Sequence, residues 1–511
     1  MERRAFLAWA GATAAQLGST KPGNGQAMSG ACREAISELR LAGMSLTELR
    51  QRLRHQLFEV VLPFWDKHGI DHEYGGIMCS LDYDGTLLGS GKNLWFLGRA
   101  IWVYSFLYNR FGKNPEFLAV AKKTKEFVFK YALQEDGWWA EELSREGKLL
   151  RPYSGDTEGM YHLAEGLHEY ALASGDEQSH DTSFALLKKL FREFNRPTFR
   201  YRGADFPYLW GSPRAVRPQG LWFLNLTLAT RMLERENDKD ITVIADHSID
   251  AIMNRHYNPD IGLNTEMLYF DFSRPKEEAQ KSRFGHCVEA LWMVMEEANR
   301  RGDETLWNTC SERIHHHLNA GWDYIYGGLS QWVNVDHPSY RWPVETPPGT
   351  HLEFHFVGEY EYLKCLWCQN EAQIATLNVW ERTGADWAVD FFSLAYRVAN
   401  EKFWQSARGY PAGAMLFADR RMSFQPHVGR QDNFHPIRQL MFNILTLERI
   451  IHRGTASIRS ASGARSIGVR QTLPLIPPSC AGYPVTSRSP TNIPNSTGIV
   501  IAHPVRVKDL S

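Results

Sequence analysis

His286 stands in Phe284-Gly-His286-Cys-Val-Glu289-Ala-Leu-Trp292, three residues before Glu289. On a helix that spacing projects both side chains from one face into the same space. His435 stands in Gly429-Arg430-Gln-Asp-Asn-Phe434-His435-Pro436-Ile-Arg438. Pro436 suits a first helical turn, which puts His435 at the helix mouth with Arg438 one turn on. A neighbouring guanidinium and a helix N-terminus both bias an imidazole towards its neutral form, which suits a base. A third cluster is Lys92-Asn-Leu-Trp95-Phe-Leu-Gly-Arg99-Ala-Ile-Trp102, where Arg99 lies among Trp95, Phe96, Ile101 and Trp102. A buried guanidinium needs acceptors, either protein carboxylates or an anionic group of a ligand. The fourth is Lys364-Cys-Leu-Trp367-Cys-Gln-Asn-Glu371-Ala372, in which Glu371 opens a helix and gains from its dipole. Taken singly, each has a plainer reading: a cap, a core histidine or a structural ion pair.

Metal chemistry is the minor reading. HExxH is absent, and the His286/Glu289 pairing would need further ligands. His315-His316-His317 is expected on the surface, since consecutive helical residues point different ways. The seven cysteines are odd in number and scattered, so they form no disulfide framework. Cys365-Leu-Trp-Cys368 is a lone CxxC whose intervening residues suggest packing, not zinc or redox work.

These clusters need helices to position them. Apolar residues recur at three- and four-residue spacing in Phe117–Leu133, Met160–Ala173, Leu221–Glu236, Val288–Arg300, Ile374–Arg382, Phe391–Phe403 and Ile437–Ile451. A weak repeat joins them: a glycine turn, a short extended stretch, a loop and an unusually apolar helix. Tyr74-Gly75-Gly76-Ile77 leads to Trp95–Tyr108, Ile261-Gly262-Leu263 to Gly285–Glu297, and Tyr326-Gly327-Gly328-Leu329 to Trp367–Arg382. Asp136-Gly137-Trp138-Trp139, before the Met160 helix, fits as a fourth. Helices apolar nearly all round are buried on both sides. Their alternation with amphipathic ones predicts an all-α toroid of two concentric rings, with short strands walling a cleft at one end. A solenoid of helical pairs is the competing architecture.

Fifty-seven basic against 58 acidic residues give a net charge of −1, which offers nucleic acid no counterion-release term and a membrane no basic face. No apolar stretch of about 18 residues exists to span a bilayer. The 17 tryptophans are unusual, because an indole face stacks well on the C–H face of a sugar ring. The start, Met1-Glu-Arg3-Arg4-Ala-Phe-Leu, resembles a twin-arginine export signal, with a frayed N-terminus as the alternative. Location is therefore left open between cytoplasm and export. From Arg453 to Ser511, Ser, Thr, Pro, Gly and Arg dominate, which predicts a disordered tail without chemistry. The expected organisation is an N-terminal segment over 1–45, one catalytic body over 46–452 and a tail over 453–511.

In the motifs quoted above, and in Phe64-Trp65 with Glu73-Tyr-Gly-Gly76, the chain resembles the N-acylglucosamine 2-epimerase family from about Phe64 to Ile451. That family also contains cellobiose 2-epimerases and mannose isomerases. The resemblance implies an (α/α)6 barrel and a sugar 2-epimerase or aldose–ketose isomerase. It casts His286 and His435 as the acid–base pair at C2 of an open-chain sugar and Arg99 as the group stabilising the enediolate oxygen. Glu289 and Glu371 would hold sugar hydroxyls or orient the histidines, with Trp367, Arg438 and Trp95 also in the substrate site. No metal, nicotinamide or pyridoxal is implied, the partner is a small sugar, and a homodimer is left open.

Two departures bear on the substrate. Leu366 stands where the family often has the first of two tryptophans. Near Pro218-Gln-Gly220 some members carry another active-site histidine that is missing from this chain. An (α/α)6 glycoside hydrolase using carboxylates such as Asp156, Glu158 and Glu371 is the competing enzyme class, but it leaves both histidine motifs unexplained. A protein-binding module is the non-enzymatic alternative, since mammalian members were first noticed as protease-binding proteins.

Overall fold

The computed structural model describes residues 39–461, apart from 156, 202–215, 277–278, 335–363 and 405–428. The arginine pair at Arg3-Arg4 and the chain from Ser462 onwards lie outside the described residues. The chain is mostly helical. Its helices are α1 (Leu46–His55), α2 (Leu62–His68), α3 (Leu94–Arg110), α4 (Pro115–Tyr131), α5 (Glu158–Ser174), α6 (Glu177–Phe194) and α7 (Gln219–Leu233). There follow α8 (Lys239–Asp250), α9 (Phe284–Arg301), α10 (Glu304–Gly321), α11 (Leu366–Thr383), α12 (Asp386–Val398) and α13 (His435–Ala461). A π-helical turn, Gln56–Val61, joins α1 to α2 without a break.

These helices pack in sequential pairs, each an inner helix buried on most of its faces followed by a more exposed one: α3 with α4, α5 with α6, α7 with α8, α9 with α10, and α11 with α12. The last inner helix, α13, takes α1 as its partner. The six inner helices also pack on one another in chain order, and α13 returns to α3, where Phe442 lies against Trp102 and Phe106. The local grammar is repetitive. Inner helices α5, α9 and α11 end on Gly175, Gly302 and Gly384, each with left-handed φ (76°, 70° and 67°). The amphipathic helices α4, α6, α8 and α10 begin on Asn114, Asp176, Asp238 and Asp303, whose side chains accept backbone N–H groups of the first turn.

Glycine lets α3 and α5 meet backbone to backbone. A Cβ on Gly98 would stand 2.4 Å from the amide nitrogen of Leu163, and one on Gly166 would stand 2.5 Å from the carbonyl oxygen of Gly98. Neither contact has a flexible side chain to yield. Gly98→Ala is therefore expected to cost about 1–3 kcal/mol through forced helix separation, measurable as a lower denaturant midpoint at unchanged slope. A wild-type midpoint would show that the helices separate freely.

Each predicted glycine turn closes a short antiparallel contact: Ile70 with Ile77, Leu133 with Trp139, Tyr257–Asn258 with Leu263–Asn264, and Trp322 with Leu329. Two of them carry the same device. Asp71 receives Lys92 Nζ at 2.9 Å and Asp323 receives Lys364 Nζ at 2.9 Å, all four side chains being buried. Burial would raise both carboxyls, but hydrogen bonds from Arg145 and Lys92 to Asp71, and from Lys364 to Asp323, hold them down at about 2. Lys92 and Lys364 thus tie two of the glycine turns to the starts of α3 and α11.

Three sequence expectations change. Residues 40–45 form a hairpin pairing Arg40 with Ser45, and Ala42 N–H donates to Ser393 Oγ at 2.9 Å, so order begins before Leu46. Helix α13 continues through Arg453 to Ala461, where loss of periodicity predicted a tail. His317 is buried, its Nε2 accepting the Asn264 N–H at 2.9 Å and its Nδ1–H donating to the Arg313 carbonyl at 2.7 Å. It is a structural histidine, and of the three-histidine run only His316 is exposed. No helix among the described residues is long and apolar enough to cross a membrane.

Candidate active site

Short strands precede several inner helices: Lys92–Asn93 before α3, Arg217–Pro218 before α7 and Lys281–Ser282 before α9. The candidate residues sit in the first turns that follow. Trp95 and Arg99 lie on α3, His286 and Glu289 on α9, Trp367 and Glu371 on α11, and His435 and Arg438 on α13.

His286 and His435 are built alike. Nδ1 of His286 lies 2.9 Å from Glu266 Oε1, and Nδ1 of His435 lies 2.6 Å from Asp432 Oδ2. A carboxylate there favours the proton on Nδ1 and leaves the Nε2 lone pair as the working atom; at His286, Arg283 Nη1 also lies 3.2 Å from Nδ1. Asp432 also caps α13, its Oδ1 accepting the Phe434 N–H at 3.0 Å. Glu266 is held by its own backbone, whose carbonyl accepts the Gln219 N–H at 2.8 Å beside the pairing of Met267 with Pro218. Burial acts to raise the Glu266 carboxyl, but His286 and Arg283 outweigh it and lower it. Burial likewise works against the Asp432 anion, yet His435 and then Arg99 and Arg430 hold it far below the usual carboxylate range. Burial lowers His435; Asp432 opposes this, while Arg99 and Arg438 add to it, and the net shift is downward.

Trp367 connects the two dyads. Its ring centroid lies 5.3 Å from that of His286 and 5.8 Å from that of His435. Gly285 makes room for it, since a Cβ there would fall 2.4 Å from Trp367 Cζ3. Beside His435, Arg438 Nη2 donates to Glu289 Oε1 at 2.5 Å and to Glu371 Oε1 at 2.7 Å. Trp292 Nε1–H donates to the other Glu371 oxygen at 2.9 Å. Burial pushes Glu371 up to about 7 despite Arg438, with Glu289 adding to the rise, whereas Glu289 itself is lowered chiefly by Arg438 against its own burial. Glu289, Glu371 and His435 bring ligand-type atoms within 4.8 Å of one another. A cation there would have to share both carboxylates with the guanidinium already bonded to them, so the donor set favours Arg438 over a metal.

Arg99 joins this group through aromatic rings. Its guanidinium lies 4.8 Å from the Trp95 centroid and 4.5 Å from that of Phe434, the residue before His435. Burial lowers it to about 10, with Asp432 opposing. All eight candidates therefore share one region: Trp367 neighbours both histidines, Arg438 binds Glu289 and Glu371 beside His435, and Arg99 with Trp95 lies alongside. The competing hydrolase carboxylates are placed differently: Glu158 accepts from Tyr201 Oη at 3.0 Å, Glu371 is tied to Arg438 and Trp292, and Asp156 lies outside the described residues.

The motif reading passed over three groups: Asp432, Glu266 and His162. Asp432 was legible in principle, because an aspartate three residues before His435 at a helix start is a capping signature. Glu266 lies twenty residues before His286 on another element, and no local pattern joins them. His162, which accepts Arg99 Nε–H at 3.3 Å, sits in the apolar run Met160–Ala164 and reads as core.

Asp432→Asn tests the dyad. It is expected to lower kcat/KM roughly 10–100-fold, a fraction of what a positioned acid–base group contributes. It should also move the acid limb governed by His435 to lower pH, because the lost carboxylate had been raising that imidazole. Paired pH–rate profiles check this, and an unmoved limb would contradict the coupling.

The N-acylglucosamine 2-epimerase (GlcNAc 2-epimerase) family model matches residues 75–435. N-acylglucosamine 2-epimerase from Mus musculus is 24% identical over 367 residues, covering 70% of this chain and 81% of its own. Cellobiose 2-epimerase from Ruminococcus albus is 27% identical over 294 residues, covering 54% of this chain and 72% of its own. In structure, cellobiose 2-epimerase from Bacillus thermoamylovorans superposes with a TM-score of 0.64 at 15% identity, over 79% of this chain and 100% of its own.

Proposed function

The chain belongs to the N-acylglucosamine 2-epimerase family, and from that we propose that His286 and His435 exchange the C2 proton of an open-chain aldose inside an (α/α)6 barrel. The protein is a sugar 2-epimerase or isomerase, an enzyme of carbohydrate isomerisation. The return of α13 to α3 supports reading the six helix pairs as a closed ring.

In the proposed reaction one histidine's Nε2 takes the proton from C2, and the electron pair moves into the C1 carbonyl to give a cis-enediolate, or the corresponding 2-acylamino enolate where C2 carries an amide nitrogen. The second histidine, entering as imidazolium, returns a proton to C2 from the opposite face, giving the 2-epimer. In a sugar with a C2 hydroxyl, delivery to C1 with the O2 proton passing to O1 gives the ketose instead. Arg99 is assigned to the developing oxyanion, a role supported by its burial beside Trp95 and Phe434, since a buried pre-set donor is worth most against forming charge. Glu289 and Glu371, oriented by Arg438, have oxygens suited to sugar hydroxyls, and Trp367 offers an apolar face between the histidines. The observation carrying this reading is the duplicated histidine–carboxylate dyad on either side of Trp367.

We infer an N-acylglucosamine/N-acylmannosamine-type aldose as first substrate, with mannose or cellobiose as alternatives. Gly220 leaves space beside His286, where an added Cβ would still lie 3.4 Å from the ring. This is the neighbourhood in which some relatives carry a further histidine, so substrate choice is the property in which this chain is expected to diverge. Incubation with N-acetylmannosamine, mannose, glucose and cellobiose in D₂O tests the reading. Deuterium at C2 of the 2-epimer, or at C1 of the ketose, is the expected result. Cellobiose cleavage without exchange would replace it with hydrolysis, and silence across the panel would favour a binding protein.

A further inference from the structure

His162 and Glu165 lie one turn apart on α5, close to Arg99 and within the field of Arg438, yet neither takes part in the proton transfer above. They are 3% and 8% exposed. Arg99 donates Nε–H to His162 Nε2, and a guanidinium offers no lone pair in return. Nε2 is therefore bare and the imidazole proton is on Nδ1. That Nδ1–H has no acceptor among the described residues. The nearest carboxylate oxygen, Glu165 Oε2, is 3.7 Å away, too far for a hydrogen bond. The Glu165 side chain has no hydrogen bond among the described residues and remains 11% exposed.

The surroundings belong to the site. The His162 ring stacks on Trp95 at 5.8 Å and meets the edge of Phe434 at 5.6 Å. The Trp95 indole N–H is also buried without a partner among the described residues. A buried donor without an acceptor, facing a carboxyl without a donor, is costly unless a third group joins them. A hydroxyl can do so from a single oxygen, since it accepts and donates at once.

We propose that His162 and Glu165 form a notch for one hydroxyl of the sugar, its oxygen accepting from His162 Nδ1–H and its proton donated to the Glu165 carboxylate. Burial raises the Glu165 carboxyl to about 7, against Arg438, Arg231 and Arg99. At pH 8 it is the anionic acceptor that the notch needs. The notch makes the enzyme select for a sugar bearing that hydroxyl over its deoxy counterpart. This rests on the epimerase reading and goes beyond it.

The test uses the full chain at pH 8 and the aldose that wild type turns over best, with its 3-, 4- and 6-deoxy analogues. C2 deuterium exchange gives kcat/KM for each, and the ratio of sugar to deoxy sugar does not depend on the folded fraction. Wild type is expected to show a penalty of about 10–100-fold at one position. His162→Phe, which keeps the stack on Trp95, and Glu165→Leu should each collapse that penalty to under about 3-fold. Glu165→Gln, which keeps an acceptor, should preserve most of it. Equal penalties in wild type and both disruptive variants, or no penalty at any position in wild type, would overturn the notch. Wild type that exchanges no C2 proton with any sugar overturns the parent reading and the notch with it.

Discussion

His286→Asn and His435→Asn each lose about 10²–10⁴-fold in C2 proton exchange while keeping wild-type secondary structure and unfolding midpoint. Asparagine retains a polar group near Glu266 or Asp432 but has no atom that exchanges a proton near neutrality. The two variants should also differ by face. If one histidine serves each face of C2, each variant retains residual wash-out of deuterium only from the epimer whose proton faces the surviving histidine. Starting from C2-deuterated sugars of both configurations, NMR resolves the two. Near-wild-type turnover in either variant would rule out the two-histidine scheme, and identical residual patterns would rule out opposite faces.

Arg438→Met carries the largest expected cost in stability. Its guanidinium is the hydrogen-bonded partner of two buried carboxylates, Glu289 and Glu371. Removing one member of such a group leaves uncompensated charge, at about 3–5 kcal/mol. The pH dependence has a definite sign. A carboxyl whose folded pKa is raised favours the folded state below its unfolded pKa and loses that contribution as pH rises through the folded value. Glu371 already stands at about 7 through burial, and without Arg438 both carboxyls rise further. The gap between Arg438→Met and wild type should therefore be widest near pH 8.5 and narrower near pH 5.5. Denaturant titrations at the two pH values measure it, and a gap independent of pH would mean that the carboxylates find other partners.

The buried helices were legible in the sequence because α3, α5 and α7 are apolar nearly all round and α9, α11 and α13 carry apolar residues at helical spacing. Repetition of the glycine turns then placed their first turns at one level. Outer helices were harder. α6, α8 and α10 carry long polar faces, as in Glu177-Gln-Ser-His-Asp-Thr, and were passed over although Asp176, Asp238 and Asp303 announce their starts. Within the site, His286, His435, Glu289 and Arg438 were recoverable because helical spacing is local. Their orienting groups were less so. Glu266 reaches His286 through strand pairing, and His162 reaches Arg99 across the Gly98–Gly166 crossing, contacts that only the folded chain creates. The same limit applies to Lys92 and Lys364, whose aspartate partners lie 21 and 41 residues upstream.

Those lysines have one more consequence. Asp71-His-Glu-Tyr-Gly-Gly76 and Asp323-Tyr-Ile-Tyr-Gly-Gly328 are each fastened to the lysine that precedes an inner helix, but the intervening chain runs over 77–91 in one and 329–363 in the other. Two spans differing more than twofold in length are thus anchored by the same clasp. The clasp fixes where each helix begins whatever the length of chain before it, whereas the shorter span is itself bound into the core through Ile77, Cys79, Leu81 and Tyr83, so tolerance to changes of length is expected in the longer span and not in the shorter one.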